Sequence, residues 1–226
     1  MIVLDNVSKV YRGHNVDNEV LRAVDLVIPR GDSIGVCGAN GAGKSTLMKL
    51  IAGVERPTTG TVTRHMTVSW PIGYATAFHP HLTGADNAKF VARIYGADEH
   101  DLLAFVEDFA QLGSYMHEPI RTYSAGMAAR LAFGVSLAIK FDCYLVDEVT
   151  GAGDERFRVR AEEALYERRN NGTLVMVSHD TGTLFRYCKR GAVVYGGSVT
   201  LYDTIAEAAD VHHRLQSLGA REGQAA

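Results

Sequence analysis

Residues 38–46 read GANGAGKST, directly after the apolar run SIGVC and directly before the helical pattern LMKLIA. The spacing G-x-x-x-x-G-K-[ST], flanked by a strand and a helix, is that of a phosphate-binding loop. Glycines let successive backbone N–H groups converge on a phosphate, and Lys44 can reach its outer oxygens. The Ser45 hydroxyl suits Mg2+, a hard cation that takes oxygen ligands. A glycine-rich turn with a stray lysine has the same letters but not the strand before and the helix after. Gly38, Asn40, Gly41, Ala42, Gly43, Lys44, Ser45 and Thr46 are therefore the predicted phosphate contacts.

A loop of this kind needs a parallel sheet behind it, and the rest of the chain supplies one. Short apolar strands at residues 2–7, 20–24 and 26–28 suggest an antiparallel layer first. A helix from Lys44 to about Gly53 and strand-like pieces up to Tyr74 follow. Residues 83–138 hold no convincing strand and are predicted as helices near 85–95, 99–112 and 124–139. Strands return at 143–146 and 173–178 around a helix at about 155–169, the order that crossover units require. A hairpin at 193–195 and 199–202 precedes a polar helix that fades into GAREGQAA. The expectation is one α/β domain with its core at 1–78 and 140–203, a helical insertion at about 79–139 and a C-terminal helix and tail at 204–226.

Composition narrows the classes. With 226 residues and 46% hydrophobic content, the chain can bury one substantial core. A net charge of −3 without a basic stripe argues against a nucleic-acid partner. The longest uncharged apolar stretch, 131–139, is far short of the ~20 residues of a spanning helix, and the N-terminus lacks a signal-peptide layout. A cytoplasmic chain is expected. Cys37, Cys143 and Cys188 are odd in number and lack metal or disulfide spacing, so they are expected to be core thiols.

Three further patterns carry chemistry. CYLVDE sets Asp147 and Glu148 at the end of an apolar strand, the edge at which parallel sheets present side chains to ligand. An acidic pair there is often only a solvated turn. Downstream of a phosphate loop, Asp147 suits Mg2+ through water and Glu148 suits a general base for an attacking water. LVMVSHD ends another apolar strand on His179, which can orient that water or serve as a packing or capping histidine. YSAGM places Ser124 as the cap of a second helix start, which also favours an anion.

These pieces in this order resemble the nucleotide-binding subunits of ABC transporters, from about residue 2 to 203. The fold implied is a P-loop NTPase core with an N-terminal antiparallel β layer and an inserted helical subdomain. The resemblance makes the nucleotide ATP, with Mg2+. Tyr11 in KVYR matches the aromatic that stacks on adenine, YSAGM matches the signature, and VDEVTGAGD matches Walker B with Asp154 as the D-loop aspartate. His179 matches the switch histidine. In that family two copies pack head to tail, so Ser124, Ala125 and Gly126 would meet the ATP held by a partner copy. A homodimeric ATPase follows, peripheral on the cytoplasmic face of the plasma membrane and coupled to a separate integral membrane permease. The inserted helices, with the loop near residues 78–87, would receive the permease.

Val149, Gly153 and Met127 depart from the common family pattern. With LTGADN, they make the chain look most like exporters of capsular and related surface polysaccharides. Only about twenty residues follow the last hairpin, so no appended carbohydrate-binding domain is expected. Alternatives are an exporter of a different cargo, a soluble ABC-type ATPase acting on ribosome or DNA, and a P-loop kinase. No glutamine occurs before Gln111, although the family carries one in the loop entering the helical insertion. Spacing to LTG points to His79 in its place, with His81 second, or to two surface histidines.

Overall fold

The computed structural model describes residues 1–13, 16–72, 78–147 and 155–222, with side chains to 218. The first layer is a three-stranded antiparallel sheet. It joins β1 (Ile2–Arg12) to β2 (Asp17–Ile28) on one side and, on the other, to a later strand, residues Thr59–Arg64. β1 and β2 run longer than the predicted segments because residues 8–12 and 17–19 are polar edge positions with little apolar pattern. The predicted break between residues 24 and 26 is instead continuous strand. Asn6 and Ala23 take left-handed φ values of 48° and 45°, beside register shifts in the pairing. At the second, the Ala23 N–H donates to the Ser8 hydroxyl at 2.8 Å.

β3 (Ser33–Cys37), five residues all buried, leads into the phosphate loop and α1 (Lys44–Ala52). The chain continues through β4 (Thr59–Arg64) and β5 (Val68–Ile72), then α2 (Gly84–Tyr95), α3 (Glu99–Ala110) and α4 (Ala125–Ala138). β6 (Cys143–Asp147), α5 (Glu155–Asn171), β7 (Thr173–Val177), α6 (Thr181–Tyr187), β8 (Arg190–Tyr195), β9 (Ser198–Tyr202) and α7 (Ile205–Glu222) complete it. The second sheet has the order β5-β6-β7-β3-β8-β9, parallel except at the β8–β9 hairpin.

Both faces of this sheet are covered, and the alternation of its strands shows how. Ile34, Val36, Cys143, Leu145, Val175 and Val177 face the cluster shared with α1 and the antiparallel layer. Tyr144, Val146, Leu174 and Met176 face the cluster shared with the helices behind. A period of two with apolar residues on both faces is what a buried parallel sheet requires. Burial pushes the Cys143 and Cys188 thiols up to about 12 and raises Cys37, so all three are protonated core groups.

Side chains fix the helix starts. Thr83, Asp98 and Ser124 cap α2, α3 and α4 by accepting from the N–H of Asp86, Asp101 and Met127. Trp70 donates to the Ser136 hydroxyl at 2.8 Å, tying β5 to α4. Asp142 anchors the start of β6 by accepting from Arg30 and from the Thr67 N–H, both at 2.8 Å. At the far end of that strand stands Asp147. α7 lies close over the sheet because Gly191 has no side chain: a Cβ there would come within 2.2 Å of Ala208 Cβ. α6 is an element that periodicity does not reveal. Only seven residues long, it is started by Asp180 accepting from Gly182 and Thr183. Among the described residues, no helix is long and apolar enough to cross a membrane.

Candidate active site

A cavity of about 340 Å3 opens at the carboxyl edge of the parallel sheet. Its floor is the loop after β3. Gly41 and Gly43 adopt φ values of 77° and 109°, where a side chain is strained, and a Cβ on Gly43 would also meet Val20 at 2.9 Å. Left-handed glycines of this kind let a loop turn its N–H groups toward a phosphate. α1 begins there with no side-chain cap and no acid in its first turn, which leaves its positive end to a ligand.

Lys44 is only 8% exposed. Its ammonium donates to the carbonyls of Gly38 at 2.7 Å and Ala39 at 2.9 Å, so it bridges the loop from inside. Ser45 is exposed at the cavity, while Thr46 is buried beneath it. Asp147 and Val177 reach the cavity together because β6 and β7 are in register at those two residues. His179, just past β7, completes that wall.

The antiparallel layer closes the opposite side with Tyr11, Asn18 and Val20. The Tyr11 hydroxyl donates to Glu55 Oε2 at 2.7 Å and lies 3.4 Å from Thr46 Oγ1. One cavity therefore gathers Tyr11, Asn40, Gly41, Gly43, Lys44, Ser45, Thr46, Asp147 and His179. Gly38 and Ala42 shape the loop from behind. Gly38 is buried against β8, and the Ala42 N–H closes a turn onto the Ala39 carbonyl at 3.2 Å.

Four described residues of the predicted site stand elsewhere. Ser124 and Ala125, exposed, and Gly126, half-buried, form the uncovered start of α4 and are not in the cavity wall. Glu148 and Asp154 lie outside the described residues, as do Val149 and Gly153. His79 is exposed and also absent from the cavity wall. Its N–H donates to Asn87 Oδ1 at 2.8 Å, and Asn87 donates back to its carbonyl at 3.2 Å. Its Nδ1 accepts from the His81 N–H at 3.3 Å, which puts the proton of a neutral ring on Nε2. The ring therefore presents its Nε2–H as a hydrogen-bond donor.

Several lining residues carried no sequence signal. Asn18 and Val20 are ordinary strand letters, placed at the cavity only by the pairing of β2 with β1. A second cavity of about 210 Å3 lies behind the loop, sharing Asn40 and His179 with the first. Its outer wall is α7, through His212, His213 and Gln216. Burial, and after it the neighbouring His213, Lys44 and His179, hold His212 below the usual histidine range. That ring is neutral at pH 7.

A family model described as ABC transporter matches residues 21–151, more than half of the chain. The chain is 42% identical to the capsule polysaccharide export ATP-binding protein CtrD of Neisseria meningitidis serogroup B, over 95% of this chain and 100% of that protein. It is 40% identical to the ATP-binding protein BexA of Haemophilus influenzae, over 96% and 100%. With the polysialic acid transport ATP-binding protein KpsT of Escherichia coli it shares 41% identity over 96% and 99%. Among solved structures it resembles the dimeric ATP-binding cassette MJ0796 in a post-hydrolysis state bound to ADP and phosphate. There the TM-score is 0.78 at 22% identity, covering 91% of this chain and 99% of that one. The phosphate loop, the strand-end aspartate and histidine, and these full-length relatives lead to one conclusion: the chain belongs to the ABC transporter family, as an ATP-binding subunit.

Proposed function

We propose that the chain is the ATP-hydrolysing subunit of an exporter of capsular or related surface polysaccharide. It closes as a head-to-tail homodimer on ATP and drives a separate integral membrane permease. The observation that carries this reading is an incomplete site. One cavity gathers the described groups for a triphosphate, while the second anion-favouring helix start, at Ser124, stands exposed outside it. A partner copy supplies what is missing. The cargo follows from the capsule polysaccharide and polysialic acid relatives that match along nearly the whole chain.

In this reading the loop N–H groups and Lys44 hold the β- and γ-phosphates, and Tyr11 takes the adenine. The Ser45 hydroxyl and the Asp147 carboxylate are hard oxygen donors that fit Mg2+, which supplies charge neutralisation on the phosphates when bound. Glu148 accepts the proton of a water whose oxygen attacks the γ-phosphorus. As that bond forms, the bond to the β–γ bridging oxygen breaks and ADP and phosphate result. His179 donates to the γ-phosphate from the sheet edge. Ser124, Ala125 and Gly126 cap the same phosphate from the partner copy, and Asp154 belongs to the contact between copies. The domain division expected from sequence gives α2–α4 the task of meeting the permease, and Phe90 and Ile94 on α2 are 59% and 60% exposed. The chain then sits peripherally on the cytoplasmic face of the membrane.

Deleting the gene from its own host and purifying the tagged chain in detergent tests this. The expected result is loss of surface polysaccharide and co-purification of a multi-span membrane protein. Unchanged surface polysaccharide, or a chain found only with ribosomes or nucleic acid, contradicts it.

The His79 arrangement gives a separate expectation. A glutamine offers the same kind of donor, so His79→Gln should keep hydrolysis, whereas His79→Ala should impair it and His81→Ala should do little. ATPase assays from about pH 6 to 8, with and without permease, decide this. Wild-type rates for His79→Ala throughout would leave the loop as a contact surface only.

A further inference from the structure

We propose that Glu55 is a positioning residue for nucleobase recognition: with Lys9 and Lys49 it locks the Tyr11 ring in the orientation on which the purine stacks. The proposal rests on the reading of Tyr11 as the adenine-stacking residue. Tyr11 stands near the end of β1, opposite Asn18, and is 36% exposed. A tyrosine so placed is free to turn unless its hydroxyl is held.

Here the hydroxyl is held. It donates to Glu55 Oε2 at 2.7 Å, which leaves the Thr46 hydroxyl to donate to it across 3.4 Å. Glu55 is itself fixed on three sides. Its N–H donates to the Lys49 carbonyl at 3.3 Å, just past the left-handed Gly53 that ends α1. Its carboxylate pairs with Lys9 at 3.1 Å and with Lys49 at 3.4 Å. The Tyr11 hydroxyl first, and then the lysines, hold the Glu55 carboxyl below its ordinary range, so it is ionised at neutral pH. Lys9 also lies 4.9 Å from the Tyr11 ring centroid and donates to the Arg56 carbonyl at 3.0 Å. That ammonium takes one face of the ring and leaves the other to a base.

Two consequences follow. α1 offers its N-terminus to the phosphates and, through Thr46 at one end and Glu55 past the other, fixes the aromatic platform. The distance between phosphate and base subsites is thereby set by a single helix. Second, one carboxylate paired with two ammonium groups leaves the brace net positive, so a glutamate near a triphosphate does not repel it.

The test is equilibrium binding of ATP and of inorganic triphosphate to the full chain, read as the ratio of the two affinities. The charge change in Glu55→Ala acts on both ligands, so the ratio isolates the base. For Glu55→Ala the ratio should fall about three- to tenfold, the factor expected when one side chain must be ordered on binding and not before it. Tyr11→Phe keeps the ring and all charges but lacks the hydroxyl, so it should show the same fall. Combining the two should add nothing further. Tyr11→Ala should lose more than either. If Tyr11→Ala lowers the ratio while Tyr11→Phe and Glu55→Ala do not, the brace is wrong and the stacking role stands. If Tyr11→Ala also leaves the ratio unchanged, both fall. Equal losses of ATP and triphosphate in Tyr11→Phe and Glu55→Ala would mean that the cluster only stabilises α1, and would overturn the proposal.

Discussion

Lys44→Ala is expected to abolish ATP hydrolysis and to weaken nucleotide binding, with a loss in turnover of at least ~10²–10³-fold, the scale on which a preorganised group facing developing charge acts. Two effects combine. The β- and γ-phosphates lose their main side-chain counter-ion, and the loop loses the ammonium that joins the Gly38 and Ala39 carbonyls. Lys44→Arg separates them. Charge is kept, but a planar guanidinium does not fit between two carbonyls in a position only 8% exposed, so strong impairment is expected there too. ATPase activity unchanged in Lys44→Ala would remove the phosphate loop from the mechanism.

Glu148→Gln is expected to keep ATP binding, to lower turnover by ~10²-fold or more, and to accumulate a stable ATP-bound dimer. The amide is isosteric with the carboxylate but cannot accept the proton of the attacking water, so the cycle stops after closure and before hydrolysis. Size-exclusion chromatography with light scattering at saturating ATP reads the dimer directly. A variant that stays monomeric there counts against closure on ATP. One that hydrolyses at the wild-type rate assigns the base elsewhere.

The strand, loop and helix around residues 33–52 were readable from sequence because each signal is local: an apolar run, glycines at fixed offsets, and a helical period. Asp147, the last residue of β6, and His179, two residues past β7, could be placed for the same reason, since each follows a local apolar run. Where contacts decide, sequence said little. β1 and β2 outrun their apolar letters because pairing, and not burial, holds their outer ends, and Ala23 turns left-handed to satisfy a bond to Ser8. α6 is too short for a period and depends on one aspartate cap. The histidines of α7 reach the back of the phosphate loop only because Gly191 lets that helix approach the sheet. Glu55 is an unremarkable surface letter until folding brings it to Tyr11. For His79 the spacing named a residue, but only the bond from the His81 N–H fixes which nitrogen carries the proton.

Trans assembly, with Lys44 of one copy and Ser124 of the other at each ATP, is tested most directly by covalently linked dimers in the Glu148→Gln background, scored for ATP retained per dimer. Lys44→Ala and Ser124→Arg are placed either in the same copy or in different copies. If each site takes Lys44 from one copy and Ser124 from the other, both substitutions fall on one site when they are in different copies. One competent site then remains, and about one ATP per dimer should be retained, as the head-to-tail geometry requires. With both in the same copy, each site carries one lesion and none should be retained. The reverse pattern, retention when both lie in the same copy and none when they are apart, would mean that each copy builds its own site, and would contradict the head-to-tail dimer.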